Sequence, residues 1–409
     1  MPAADSVLMV IPRWVRDGGV AAHVASSAGA LARHGTRVSV LTGKVESDET
    51  PDGVTLYHSP ELFNRNAPVE VRFGDALASE PSVVHLHQLD DPLVVDFLRR
   101  RSSVVISSHG YLACTSGYHY FAPGQECQRA HGPGCVPNLP RCAHTRDPRM
   151  LPHSYRRAGR ALAALSQADM AISYSTAVDR HLAINGLARR RIVPYFPTVE
   201  PRTGSGHEGR RRVVFAGRIV APKGVRTLVE AAREVPGEFV ICGDGWQLQA
   251  MRRLASRRGV EDRVRFKGWL DPVGLAREFA DASLVVVPSL WPEPFGIVGI
   301  EAFAAGRPAV ASDTGGIGDW LQDGVSGLLF PAGDAGALAA ALGELLDDPR
   351  RQAAMGAAGK ATVAAKFSLE HHLTAISEAY AAARENWESA RRGGLAPTAP
   401  AAPAATTLS

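Results

Sequence analysis

Short apolar, β-branched runs alternate with amphipathic stretches along most of the chain. In the first half such runs predict strands at Val7 to Ile11, Arg37 to Leu41, Val54 to Tyr57, Val83 to Leu86, Val104 to Ser107, Met170 to Ser173 and Arg191 to Val193. The stretches between them have helical spacing, as in Val20, Val24, Ala28 and Leu31. Strands separated by helices form parallel βαβ units, so the pattern predicts a doubly wound, Rossmann-like α/β lobe.

A second series of the same kind follows a break in the pattern. Residues 201–212 are rich in glycine, serine and charge, which indicates a linker. Strands are then predicted at Val213 to Ala216, Glu238 to Cys242, Val264 to Lys267, Ser283 to Val287, Pro308 to Ser312 and Gly327 to Phe330. The chain is therefore expected to form two lobes, residues 1–200 and 213–367, and the cleft between them is the expected ligand site.

The end of the chain predicts one long helix and a tail. Ser368 is a helix-capping residue, and apolar residues such as Leu373, Ile376 and Tyr380 follow at helical spacing. Residues 368–392 are expected to form an amphipathic helix that crosses back to the first lobe. Residues 393–409 carry no charge and are rich in alanine, proline and threonine, which predicts disorder.

Composition and charge exclude several classes of protein. With 45% hydrophobic and 21% charged residues, the chain is neither fibrous nor wholly disordered. A net charge of +4 is too small to indicate nucleic-acid binding. There is no apolar stretch of about 18 residues and no signal-peptide pattern, so a cytoplasmic protein is expected. Arginine-rich stretches leave peripheral membrane contact open, although a solvated helix face is the simpler interpretation.

The most informative segment follows the predicted strand at Ser283 to Val287. Glu293 and Glu301 stand eight positions apart at the carboxyl end of that strand, where open α/β sheets bind ligands. Paired carboxylates can accept hydrogen bonds from sugar hydroxyls. The amides of Phe295, Gly296 and Ile297 can meet anionic or hydroxyl oxygens. The alternative is a solvated loop acid followed by a helix-capping acid.

This segment resembles the Glu-x7-Glu signature of family four of the retaining nucleotide-sugar glycosyltransferases, which have the GT-B fold of two lobes around a cleft. Further elements match in order over about residues 7–385, and more closely in the second lobe. They are Gly18-Gly19, His109, Gly217-Arg218 with Lys223-Gly224, Cys242 to Gly245, Ser312 to Gly316 and Asp323 to Phe330. Asp319 replaces the glutamate usual in the family, which keeps the charge.

The resemblance implies a role for each matching residue. Catalytic roles fall to His109, Arg218, Lys223 and Glu293, and donor binding to Gly18, Gly19, Gly243, Gly245, Phe295, Gly296, Ile297 and Glu301. Arg218 and Lys223 would stabilise the departing diphosphate, and His109 would contact the donor sugar. Some of these residues also have a simpler interpretation. Arg218 and Lys223 could be a surface pair, Gly18 and Gly19 an ordinary βα turn, and His109 a structural histidine.

The expected activity is transfer of a hexosyl or N-acetylhexosaminyl group from a nucleotide sugar, with UDP favoured, to an acceptor hydroxyl. The resemblance implies retention of configuration and no cofactor or metal requirement. The acceptor is either a small natural product or sugar, or a cell-surface polysaccharide or lipid-linked glycan. A sugar-nucleotide epimerase and a non-catalytic nucleotide-sugar-binding subunit remain as alternatives.

Residues 111–150 do not follow the βα pattern and are interpreted as an insertion in the first lobe. The insertion holds Cys114, Cys127, Cys135 and Cys142. These thiols could hold a structural zinc, form two disulfides or stay free. Because the insertion starts directly after His109, we expect it to form a lid or wall of the acceptor site.

Overall fold

The computed structural model describes residues 4–15, 19–47, 49–117, 120–123, 125–138, 150–202 and 211–393. Some sequence predictions fall outside these residues: Gly18, Cys142, most of the linker and the predicted tail. The described residues form two α/β units, each around its own parallel sheet.

The first lobe is built on a seven-stranded parallel sheet in the order β3-β2-β1-β4-β5-β8-β9. Its strands are β1 (Ser6–Trp14), β2 (Arg37–Val45), β3 (Val54–His58), β4 (Val83–His87), β5 (Ser103–Ser108), β8 (Met170–Ser173) and β9 (Arg190–Ile192). Its helices are α1 (Gly19–Arg33), α2 (Val69–Phe73), α3 (Pro92–Arg99), α4 (Met150–Gln167) and α5 (Thr176–Ile184). β1, β4 and β5 are almost wholly buried because helices cover both faces of the sheet.

The second lobe has a six-stranded parallel sheet in the order β12-β11-β10-β13-β14-β15. Its strands are β10 (Arg212–Ala216), β11 (Glu238–Cys242), β12 (Val264–Gly268), β13 (Leu284–Val287), β14 (Ala309–Ser312) and β15 (Gly327–Phe330). Its helices are α6 (Val225–Ala231), α7 (Leu248–Arg257), α8 (Pro272–Ala280), α9 (Ile297–Ala304), α10 (Ala335–Leu346) and α11 (Pro349–Lys366). The strand order reverses between β10 and β13, as it does between β1 and β4, and such reversals are where doubly wound sheets bind ligands.

The last helix, α12 (Leu369–Arg392), packs against the first lobe. Ser368 caps it by accepting a hydrogen bond from the amide of His371. Near its end, Trp387 Nε1 donates to the carbonyl of Arg99 at 2.7 Å. Ile376 and Tyr380 are buried in a core that also contains Met9 of β1. The second half of the chain therefore completes the interior of the first.

The structure differs from the sequence prediction at the end of the linker and within the insertion. Arg212 lies in β10 rather than in the linker, because its guanidinium is buried and pairs with Glu238 and Glu278 of the second lobe. The insertion at residues 111–150 is partly regular: it contains the hairpin β6 (Tyr120–Ala122) and β7 (Gln125–Glu126) and a 3-10 helix, Pro133–Asn138.

None of the helices in the described ranges is both long enough and apolar enough to cross a membrane.

Candidate active site

The loops that follow the two strand-order reversals meet between the lobes. A β-carbon placed on Gly19, the first residue of α1, would lie 3.6 Å from Ile297 Cδ1, at the start of α9. A β-carbon on Gly110 would lie 3.8 Å from Pro294. Two helix N-termini thus approach the same region, and each contributes partial positive charge and unpaired amides suited to an anionic ligand.

Glu293 is the most densely bonded group of this region. It is 4% exposed. Its carboxylate accepts from Lys223 Nζ at 2.8 and 2.9 Å, from Ser289 Oγ at 2.6 Å and from Trp291 Nε1 at 3.1 Å. Burial alone would raise the pKa of Glu293, but the Lys223 ammonium and these hydrogen bonds lower it below the ordinary value. Glu293 is therefore a fixed, ionised carboxylate.

Lys223 ends the short 3-10 helix that follows β10, so the strand delivers it to the cleft. Glu293 takes two of its three ammonium protons, and the Trp291 ring centroid lies 5.7 Å from Nζ. Because the side chain is 22% exposed, the ammonium can still meet an anion. Arg218, in the loop after the same strand, is exposed and pairs with no acid of the described chain.

At Gly243 and Gly245, the loop after β11 packs closely against the loop that carries Arg218. A β-carbon on Gly243 would come within 1.9 Å of Gly217 O, and one on Gly245 within 2.5 Å of Ile219 O. The carbonyl of Asp244 also accepts from the Ile219 amide at 2.7 Å. Glycine is required here by close backbone packing, which fixes the path of the Arg218 loop.

Gly296 turns the chain from the Glu293 loop into α9 with a φ of 86°, which glycine adopts without strain. Phe295 next to it is a core residue: its ring is 2% exposed and its carbonyl accepts from Trp320 Nε1 at 2.7 Å. Glu301 lies in the second turn of α9 and accepts from Thr198 Oγ1 at 2.9 Å. Burial raises its pKa, although the bonds from Thr198 act in the opposite direction.

His109 lies just past β5, and both of its ring nitrogens are bonded within the first lobe. Nε2 is 2.9 Å from His87 Nδ1, and Nδ1 is 2.7 Å from the Tyr195 hydroxyl. The ring stacks on Tyr174 with centroids 4.6 Å apart. Burial lowers the pKa of His109 to about 3, so the ring is neutral. A donor hydroxyl could reach a ring nitrogen only if one of these hydrogen bonds were broken.

Several residues of this region are not among the predicted site residues. Ser289, Trp291 and Thr198 orient the two glutamates. A buried cluster surrounds His109 and contains His23, His85, His87, His372, Tyr174, Tyr195 and Tyr380. One sequence signal existed, since His85 and His87 alternate within an otherwise apolar strand and so share a face.

The insertion after His109 reaches the second lobe. Glu126 Oε1 accepts from the amide of Gly315 at 3.0 Å, and a β-carbon on Gly333 would lie 3.2 Å from Pro123. At the root of the insertion, the ring of Tyr111 meets that of Trp291 edge-on, with centroids 6.4 Å apart. The insertion therefore touches both the Glu293 loop and the Gly315 turn.

Cys114, Cys127 and Cys135 are free thiols in this structure, and burial raises the pKa of Cys127. Within the described ranges, no three histidine, cysteine or acidic side chains are arranged to hold a metal ion. Cys142 lies outside those ranges, so the predicted zinc set stays a prediction. Cys242 in β11 is buried, which raises its pKa to about 12.

Comparisons with known proteins agree with this arrangement. Residues 200–362 match the family described as Glycosyl transferases group 1. The chain is 35% identical over 175 residues to an alpha-D-kanosaminyltransferase of Streptomyces kanamyceticus, covering 42% of this chain and 45% of that protein. It is 38% identical over 197 residues to a D-inositol 3-phosphate glycosyltransferase of Nocardia farcinica, covering 45% and 43%. The chain thus spans less than half the length of these curated relatives.

Solved structures show the same fold over nearly the whole chain. A sucrose-phosphate synthase from Thermosynechococcus elongatus superposes with a TM-score of 0.72 at 22% identity, covering 94% of this chain and 100% of its own. The Anabaena protein HepE in complex with UDP and glucose gives 0.67 at 18% identity, covering 91% and 98%. Residues 200–362 are therefore similar to the glycosyl transferases group 1 family, and the two lobes have the GT-B fold.

Proposed function

We propose that the protein is a retaining glycosyltransferase that moves a hexosyl or N-acetylhexosaminyl group from a nucleoside diphosphate sugar to an acceptor hydroxyl. The observation that carries this proposal is the Lys223–Glu293 pair. A cation with one spare proton and an ionised carboxylate stand together where two helix N-termini converge. Such a site suits a leaving group that is anionic and a sugar that offers hydroxyls.

The donor would occupy the second-lobe side of the cleft. Lys223 and the exposed Arg218 would neutralise the diphosphate, with the N-termini of α1 and α9 adding amide donors. Glu301 would accept hydroxyls of the ribose. UDP is the nucleotide we favour, and the HepE complex with UDP and glucose on the same fold supports it.

The reaction would proceed on one face of the sugar. The bond from the anomeric carbon to the acceptor oxygen forms as the bond to the diphosphate oxygen breaks, and the acceptor proton passes to that leaving oxygen. Configuration is retained, and we propose that neither a cofactor nor a divalent metal is required. Glu293 would hold a hydroxyl of the sugar during this step.

We propose a small natural-product or sugar acceptor, because the insertion contacts the second lobe beside the Glu293 loop and would restrict a large one. The names of two relatives, a kanosaminyltransferase and a D-inositol 3-phosphate glycosyltransferase, support this acceptor class. Transfer to a cell-surface polysaccharide or a lipid-linked glycan is the second candidate, supported by a lipopolysaccharide core glycosyltransferase of Rhizobium meliloti at 36% identity. We also propose that the protein acts in the cytoplasm.

The test is a mass-spectrometric screen of the purified protein with UDP- and GDP-sugars, with and without sugar, aminocyclitol and lipid-linked acceptors. We expect a product heavier than the acceptor by one glycosyl residue, formed equally well in EDTA. Isomerised donor without an acceptor product would instead indicate an epimerase. Donor binding with neither hydrolysis nor transfer would indicate a binding subunit.

We further propose that the insertion holds a structural zinc through its four cysteines, which EDTA would not remove quickly from a tetrathiolate site. Elemental analysis of protein purified without chelator should find about one zinc per chain. Cys114→Ser should lose that zinc, whereas Cys242→Ser, in β11, should keep it. Zinc-free wild-type protein would contradict the proposal.

A further inference from the structure

His87 extends the hydrogen-bonded chain that holds His109. It is the last residue of β4 and is 2% exposed. One hydrogen bond joins the Tyr195 hydroxyl to His109 Nδ1, and the next joins His109 Nε2 to His87 Nδ1. The remaining nitrogen, His87 Nε2, is buried and has no hydrogen-bond partner in the part of the chain that the structure describes.

Counting protons along this chain selects one arrangement. Burial lowers the pKa values of His87 and His109, so each ring carries one N–H. If Tyr195 donates to His109 Nδ1, then His109 Nε2–H donates to His87 Nδ1, and only His87 Nε2–H lacks a partner. In the reverse arrangement, His109 Nδ1–H donates to the Tyr195 oxygen and His87 Nδ1–H donates to His109 Nε2. Both the Tyr195 hydroxyl hydrogen and His87 Nε2 would then lack a hydrogen-bond partner. Because each buried unpaired polar group costs free energy, the first arrangement is favoured.

We propose that His87 and Tyr195 are positioning residues, which fix the tautomer and the ring plane of His109 and thereby the backbone of His109 and Gly110. Gly110 lies against Pro294, the neighbour of Glu293. The position of the first-lobe wall opposite Glu293 then depends on the His109 ring. This inference rests on the proposed transferase function.

A second set of hydrogen bonds holds Tyr174, the residue whose ring stacks on His109. Tyr174, which stacks on His109, bonds through its hydroxyl to Ser107 Oγ at 2.8 Å. Ser107 Oγ is 2.7 Å from His85 Nε2, and His85 Nδ1 is 2.9 Å from the Tyr380 hydroxyl of α12. The stacking surface under His109 is therefore tied to the last helix.

Tyr195→Phe removes one hydroxyl and leaves the ring. We expect nitrogen-15 NMR of the His109 imidazole to change from a single Nε2–H tautomer to a mixture. In the transfer assay we expect kcat to fall roughly tenfold to a hundredfold, with the donor KM unchanged, because the wall opposite Glu293 loses its fixed position. Tyr57→Phe, in β3 away from the cleft, is the matched control and should change neither measurement.

His87→Asn and His87→Leu give a second, independent test. Asparagine can place an acceptor near the position of Nδ1 and should keep the hydrogen bond from His109 Nε2–H and most of kcat, whereas leucine leaves that N–H unpaired and should lower kcat. An unchanged His109 spectrum and kcat in Tyr195→Phe, or equal losses in the asparagine and leucine variants, would overturn the proposal. If no donor supports transfer by the wild type, the proposed function fails, but the NMR comparison still decides the tautomer.

Discussion

The two carboxylate oxygens of Glu293 accept different numbers of hydrogen bonds. Oε2 accepts from Lys223, Ser289 and Trp291, whereas in the described chain Oε1 accepts from Lys223 alone. A carboxylate oxygen can accept at least two hydrogen bonds, so Oε1 keeps a place for another donor. The three bonds to Oε2 hold the group still, and the open lone pair on Oε1 is the one we expect a sugar hydroxyl to use.

Lys223→Ala and Glu301→Ala should affect different steps. Loss of the ammonium removes charge stabilisation of the leaving diphosphate, so we expect kcat to fall about 10²–10³-fold with a smaller change in donor affinity. Loss of Glu301 should chiefly raise the donor dissociation constant. Steady-state kinetics and calorimetric titration with the nucleotide sugar separate the two, and Lys360→Ala, at an exposed site, is the control. Normal kinetics in both variants would rule out this site.

Trp291→Phe should shift the pH dependence of transfer. The indole Nε1 donates to Glu293 Oε2 and helps to lower its pKa, so the variant should have a higher Glu293 pKa. The acid limb of the kcat profile should then move to higher pH. Trp387→Phe removes an indole hydrogen bond on the far side of the first lobe and should leave the profile in place. Superimposable profiles for wild type and Trp291→Phe would contradict the role of Glu293.

The sequence predicted this site better on one side of the cleft than on the other. Glu293, Glu301 and Lys223 stand in short motifs beside predicted strand ends, and strand ends of a parallel sheet meet at one edge. The partners of His109 could not be found in this way, because His87, Tyr174 and Tyr195 come from three separate segments. Only tertiary packing brings them together, and no local spacing records it.

At the level of elements, the hairpin of β6 and β7 is a bridge between the lobes. Glu126 accepts a hydrogen bond from the Gly315 amide of the second lobe, and the next amide of the same turn, that of Gly316, donates to the Glu293 carbonyl. The sequence predicted that the insertion emerges at the cleft, because it starts directly after His109, but its prolines and glycines define no period from which its own structure could be predicted. Its position relative to the Glu293 loop is a result of the structure alone.

Glu126→Ala should loosen this bridge. We expect the acceptor KM to rise severalfold while the dissociation constant for the nucleotide sugar stays the same, because the Gly315 amide loses its carboxylate partner but the donor side is intact. Glu126→Gln keeps an acceptor oxygen and should behave more like the wild type, and Glu261→Ala is an exposed control. A rise in the donor constant with an unchanged acceptor KM would contradict an acceptor-side insertion.

At the scale of the whole molecule, the buried imidazoles make folding sensitive to acid. Burial lowers the pKa of His23, His85 and His87 well below 6.5, that of His109 to about 3 and that of His372 to about 4. In the unfolded chain, each imidazole would titrate near the ordinary histidine pKa of 6.5. Stability conferred by the neutral rings is therefore complete above that pH and declines as the pH falls toward 4.

The free energy of unfolding, measured in urea between pH 7.5 and 4.5, should fall by up to about 1.4 kcal/mol per pH unit for each such ring. Replacing His372 by glutamine should reduce the pH dependence of the free energy of unfolding by the contribution of one imidazole. His58→Asn, at an exposed position, should leave the slope as it is. A slope that is the same for wild type and the His372 variant would show that the ring is not neutral in the folded protein.

The return of α12 to the first lobe has a consequence for biosynthesis. The pairs Ser27–His372 and His85–Tyr380 join residues 345 and 295 positions apart. A nascent chain therefore exposes the first-lobe surface that α12 will cover until residues 369–392 have left the ribosome. Lobes that fold in order of synthesis normally finish the first before the second. Here the first is completed last, so premature release at about residue 368 should yield a product that depends on chaperones.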